Sequence, residues 1–157
     1  MQTVTVPMES LAEIIYLQLN NGGTANLRVT GNSMWPLFLG GRDSVTLIPS
    51  GGKHKKGDIL LYKRDDGSYV LHRVIALTVS DYICSGDNQA VREVVTDAQV
   101  VAVVNGFTRK GKSYSTQALW YRFYKTMWVN LFLLRKPFIK LFFALGRING
   151  KLRHRHR

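Results

Sequence analysis

Six short apolar runs, separated by clusters of turn-forming residues, occupy residues 26–107. This punctuation constrains the fold more than any other feature of the chain. The runs are "NLRVT" (26–30), "SVTLI" (44–48), "DILLYK" (58–63), "SYVLHRVIAL" (68–77), "YIC" (82–84) and "QVVAVVNGF" (99–107). All are rich in Val, Ile, Leu and Tyr, and "LGGRD", "PSGGKHKKG", "RDDG" and "SGDN" stand between them. Gly, Pro, Asn and Asp favour chain reversal through their backbone geometry and local hydrogen bonds. Short strands at close spacing predict a mostly β fold, a compact antiparallel β-sheet or barrel. "KRDDGSYV" reads as a hairpin with Asp66-Gly67 at its turn.

Two flanking segments have the helical period instead. Ser10 and Glu13 fit a capping box ahead of Leu11, Ile14, Ile15 and Leu19, which predicts a short amphipathic helix over residues 10–20. "NNGGT" stops it. Near residue 112 the texture changes again, dividing the chain into a β domain (1–112) and a helical C-terminal tail (113–157). In the tail Arg122, Lys125, Thr126, Asn130, Lys136, Lys140 and Arg147 fall along one stripe. Most of the rest, up to Ile148, is apolar or aromatic. Pro137 either kinks one helix or opens a second.

Charge follows the same division. Residues 1–108 hold 9 Lys/Arg against 10 Asp/Glu, whereas residues 109–157 hold 13 Lys/Arg and no acid. A basic tail on a nearly neutral domain points to an anionic partner, either nucleic acid or a membrane surface. No uncharged stretch of the tail exceeds nine residues, too short for a spanning helix of about 20. Trp120, Tyr121, Phe123, Tyr124 and Trp128 mix with Arg and Lys, which suits a helix lying in the headgroup zone. The tail over residues 119–147 is therefore read as a membrane-surface element rather than as one that only packs on the domain. Nothing in it resembles a base-reading motif, so nucleic acid is the lesser reading. The first ten residues carry neither a basic nor an apolar signal-peptide region. The expectation is peripheral or monotopic membrane association on the cytoplasmic side. The lone Cys84 excludes an intrachain disulfide and a Cys-based zinc site, and reads as a small core hydrophobe.

Three segments carry possible chemistry. Ser33 sits in a Gly-containing loop between strands, His72 lies mid-strand after the hairpin, and Gly86-Asp87-Asn88 forms a turn with Glu93 six residues past the aspartate. Singly, each has an ordinary explanation: a turn serine, a core histidine, a turn aspartate. Together and in this order they resemble the signal peptidase superfamily of serine peptidases. Gly31-Asn32-Ser33-Met34-Trp35-Pro36 looks like the nucleophile box of that family. Gly57-Asp58-Ile59 and His72-Arg73-Val74 look like its strand-and-base segment, and Gly86-Asp87-Asn88 like its third box. Histidine rather than lysine at the base position is similar to the endoplasmic-reticulum and archaeal branch.

The resemblance covers about residues 27–104. It implies a serine endopeptidase that cleaves a signal or leader peptide in a peptide or protein substrate. Ser33 would attack, His72 would act as base, and Asp87 or Glu93 would support the imidazole. Glu93 is favoured by its family position. Backbone amides near Ser33 would form the oxyanion hole, and no cofactor or metal is implied. The chain departs from the family pattern at Arg42, inserted before Asp43, and at Gly31, where some relatives carry a hydroxyl. The family's N-terminal membrane anchor is also missing. A non-catalytic peptide-binding or membrane-adaptor domain of the same fold is the alternative. A self-cleaving repressor is disfavoured by the absence of both a DNA-binding region and a lysine base.

Overall fold

The computed structural model describes residues 8–131 and residue 137. In chain order the elements are α1 (Met8–Asn20), β1 (Ala25–Arg28), β2 (Ser44–Pro49), β3 (Ile59–Lys63), β4 (Tyr69–Leu77), β5 (Tyr82–Ser85) and β6 (Glu93–Val95). A single 3-10 turn at Asp97–Gln99, β7 (Val100–Arg109), β8 (Lys112–Ser115) and α2 (Leu119–Asn130) follow. The six apolar runs correspond to β1–β5 and β7. β6 and β8 were not anticipated. α1 begins two residues before Ser10, so Ser10 lies within the helix and the expected capping box is not its N-terminus. The helix ends as the Gly-Gly signal implied. Gly22 takes φ +73°, and the N–H groups of Gly22 and Gly23 donate to the carbonyls of Leu19 and Gln18.

The strands form one antiparallel sheet in the order β1-β2-β7-β3-β4-β5-β6. β8 pairs with the far half of β7, beyond the stretch that pairs with β3. β1 and β6 lie at opposite ends of this path and do not pair, so of the two expected forms the sheet is open and not a barrel. Register shifts at Thr46/Leu47, Leu61/Tyr62 and Val74/Ala76 bend it locally. The β3–β4 hairpin turns where expected. The Arg64 N–H donates to the Ser68 carbonyl, Gly67 takes φ +85°, and the Asp66 carboxylate accepts from the Ser68 N–H.

Both faces of the sheet are covered, which is why Ile59–Tyr62 of β3 are all buried. One face packs α1, the loop after β1 and α2 around Ile59, Leu61, Val101 and Phe107. The other gathers Leu60, Tyr62, Val74, Tyr82, Cys84 and Val95. Successive residues of a strand point to opposite faces, so His72 belongs with Val70 and Val74 and faces the second cluster. Arg73, beside it in sequence, faces the first.

The change of texture at residue 112 falls at β8, and the sheet and α2 share a core. Tyr121, Trp128 and Val129 are buried, and Tyr121 joins the first cluster. Lys125 lies along Gly57 and reaches Asp58 at 3.7 Å, so this member of the polar stripe is turned toward the domain. The opposite side of α2 exposes Leu119, Trp120, Phe123, Met127 and Leu131, beside exposed Arg122, Thr126 and Asn130. Lys136, Lys140 and Arg147 lie outside the described residues.

Candidate active site

The loop from Val29 to Asp43 is built around one buried carboxylate. Asp43 accepts from the Leu39 N–H at 2.8 Å and the Lys110 N–H at 3.2 Å, and pairs with Arg42 through both oxygens. Burial pushes this carboxyl up, but the Arg42 guanidinium and the two backbone donors together hold it below the ordinary value. Arg42, the departure from the family pattern, thus closes the loop instead of disturbing it. Asn32 adds a clamp by accepting from the Gly40 N–H at 3.0 Å. Met34, Leu37 and Phe38 anchor the loop in the core, leaving Ser33 half-buried at its outer bend. Among the described residues, neither the Ser33 nor the Met34 N–H has an acceptor.

The Gly86-Asp87-Asn88 turn meets this bend. The Asn88 N–H donates to the Ser33 carbonyl at 2.7 Å. A Cβ on Gly86 would lie 2.7 Å from that carbonyl oxygen and 3.1 Å from the Ser33 Cβ, so glycine here lets the two loops touch. The β4–β5 register pairs Arg73 with Ser85. The pairing ends there, with His72 paired to Leu60 on its other side. Gly86 is thus the first residue past the paired part of β5, and it is there that the Ser33 bend touches the sheet.

His72 is 1% exposed. Its Nδ1 lies 3.0 Å from the Tyr62 hydroxyl and 3.5 Å from Glu93 Oε1. Tyr62 donates to Glu93 Oε2 at 2.8 Å, and Arg64 grips the same carboxylate with Nε and Nη2. Burial pushes the His72 pKa below its ordinary 6.5, more strongly than Glu93 pulls it back up. The ring is therefore neutral at pH 7, the state a general base needs. Arg64 holds the Glu93 carboxyl below the usual range, against burial, with Tyr62 helping.

Asp87 is placed differently. Its two oxygens accept from Arg73 Nε and Nη2 at 2.8 and 2.7 Å, and both side chains are fully buried. Arg73 Nη1 donates to the Gly57 carbonyl and the Tyr121 hydroxyl, and the guanidinium lies over the Tyr121 and Tyr124 rings. Asp87 is two residues beyond Ser85, the partner of Arg73, and so shares the Arg73 face. Glu93 pairs with Cys84, which pairs through Val74 into the His72 face.

Of the four residues singled out in the sequence, His72 and Glu93 are brought together, Ser33 abuts the Gly86-Asp87-Asn88 turn with no hydrogen bond to His72 among the described residues, and Asp87 pairs with Arg73 while its charge also acts on His72. Tyr62 and Arg64 were missed. Tyr62 reads as one more apolar member of "LLY" and Arg64 as part of a turn, and only the fold reveals what they touch. Cys84 is buried, with its thiol pushed up to about 12 by burial. Among the described residues no group of three or more His, Cys, Asp or Glu could hold a metal ion, and no helix is long and apolar enough to cross a membrane. No protein-family model and no curated protein matches this chain.

Proposed function

We propose that the chain is a serine endopeptidase of the signal-peptidase kind that cleaves a signal or leader peptide. Ser33 is its nucleophile and His72 its general base. The supporting observation is the meeting of the Ser33 bend with Gly86, one residue past the strand partner of Arg73, in a fold that also buries a neutral His72 whose Nδ1 is tied to Tyr62 and Glu93. Ser33 Oγ attacks the scissile carbonyl while His72 Nε2 takes its proton. The Ser33 and Met34 amides receive the oxyanion, and the imidazolium returns the proton to the leaving amine. Water then releases the acyl group by the same route. The membrane is the proposed setting. The outward apolar row of α2 and the acid-free basic sequence of residues 109–157 suit an anionic surface.

A fluorophosphonate probe tests the nucleophile. Wild-type protein should be labelled at Ser33, and Ser33→Ala should not be labelled at all. The rate should fall on acidification with a midpoint below 6.5, because burial favours neutral His72. Labelling elsewhere, or a midpoint above 6.5, would refute the assignment. A non-catalytic peptide-binding or adaptor domain is the second reading. One observation favours it: among the described residues no hydrogen bond joins Ser33 Oγ to His72. That reading requires an unlabelled Ser33.

A further inference from the structure

We propose that Tyr62 is a positioning residue that locks His72 in the Nδ1–H tautomer, leaving Nε2 as the free base. The catalytic consequence rests on the peptidase reading above; the lock itself rests on counting protons. The Tyr62 side chain is 1% exposed, and its hydroxyl stands between Nδ1 at 3.0 Å and Glu93 Oε2 at 2.8 Å. The direct approach of Nδ1 to Glu93, 3.5 Å, is longer than an N–H···O hydrogen bond. An ionised carboxylate only accepts, and a phenol has one proton. That proton therefore goes to Glu93. The phenol oxygen can then only accept from the ring, so Nδ1 carries the imidazole's single N–H and Nε2 carries the lone pair.

The surroundings keep the count intact. Arg64, just past β3, holds Glu93 on β6 ionised with a two-pronged grip. Burial and the Glu93 contact keep the Tyr62 proton in place. Cys84 on β5 remains a thiol. Arg73 and Asp87 pair on the other face of the sheet, from where the Asp87 charge favours a protonated His72 less strongly than Glu93 does. When Nε2 accepts the Ser33 proton, the cation's Nδ1–H stays on Tyr62, with the Glu93 charge one hydrogen bond behind. The arrangement is a serine, histidine and acid with a phenol interposed.

The tautomer is read directly by long-range proton–nitrogen NMR of the ¹⁵N-labelled full chain at neutral pH. Wild-type His72 should show a protonated Nδ1 and a bare Nε2. Tyr62→Phe removes the acceptor and should shift the ring toward Nε2–H, lower the fluorophosphonate labelling rate about 10–100-fold and move its pH midpoint. A structural role alone would leave the tautomer unmoved. Glu93→Gln keeps the shape but lets the phenol donate to Nδ1, and should populate the Nε2–H form as well. A wild-type ring protonated at Nε2, or a Tyr62→Phe protein that keeps the Nδ1–H tautomer, overturns the proposal. A wild-type protein with the predicted tautomer but no Ser33 labelling upholds the lock and overturns the peptidase reading instead.

Discussion

Asp87→Asn separates a structural aspartate from a catalytic one. The wild-type carboxylate accepts two parallel hydrogen bonds, at 2.8 and 2.7 Å, from a guanidinium that is wholly inside the protein. Asparagine keeps the shape but not the charge. At best it offers one oxygen, and its NH₂ then faces a guanidinium N–H, donor against donor. The positive charge of Arg73 stays buried with only the Gly57 carbonyl, the Tyr121 hydroxyl and two ring faces to stabilise it. Removing one partner of a buried pair costs about 3–5 kcal/mol. At roughly 2–4 °C per kcal/mol for a chain of this size, Tm should fall by about 10 °C. Urea or thermal unfolding followed by tryptophan fluorescence is a suitable assay, because Trp120 and Trp128 lie on the docked helix. Adding Arg73→Met removes the stranded charge, so the double variant should be more stable than Asp87→Asn alone. An Asp87→Asn protein that melts within about 1 °C of wild type yet loses Ser33 labelling would refute this reasoning and make Asp87 the partner of His72.

Gly86→Ala places a methyl group against the Ser33 carbonyl at 2.7 Å, which the loops can relieve only by parting. It should cost about 1–3 kcal/mol by overpacking and slow Ser33 labelling at least tenfold, measured on protein shown by circular dichroism to be folded. Leu119→Ser and Phe123→Ser alter side chains that are 80% and 73% exposed. Each should change stability by less than about 0.5 kcal/mol yet weaken binding to anionic vesicles roughly tenfold, since burying such a side chain is worth about 1.5–3 kcal/mol. Wild-type binding should decline with salt without vanishing. Equal sedimentation of variant and parent with vesicles would remove α2 from the membrane contact.

Much of the fold was legible because six strands announced themselves by composition and turn chemistry. β6 and β8 did not. "EVV" and "KSYS" are too short or too polar to stand out, and they are strands only because β5 and β7 offer open edges to pair with. Closure was illegible for a related reason: whether a sheet becomes a barrel depends on which strands end as neighbours, and periodicity is silent on that. The site shows the same division. The loop carrying Ser33 and the strand carrying His72 could be singled out only by the order of three motifs, since each residue alone had an ordinary explanation. Which of Asp87 and Glu93 lies beside His72 turns on the two-residue alternation of paired strands, which required the register. Tyr62 required the side-chain packing as well.

His72 and Arg73, consecutive in sequence, look out from opposite sides of β4, and the consequence concerns modularity. An anchor joined by a loose linker is exchangeable: it can be cut off, lengthened or replaced without consulting the head it carries. Here the helix supplies Tyr121, whose hydroxyl and ring contact the same guanidinium that fixes the Gly86-Asp87-Asn88 turn. A chain shortened at Lys112 would lose most of β8 and that cover together, baring Arg73 on one side of the strand while His72 stands on the other. Clipping the tail would not leave the sheet intact, and a substitute helix would have to bring its own phenol to the position of Tyr121.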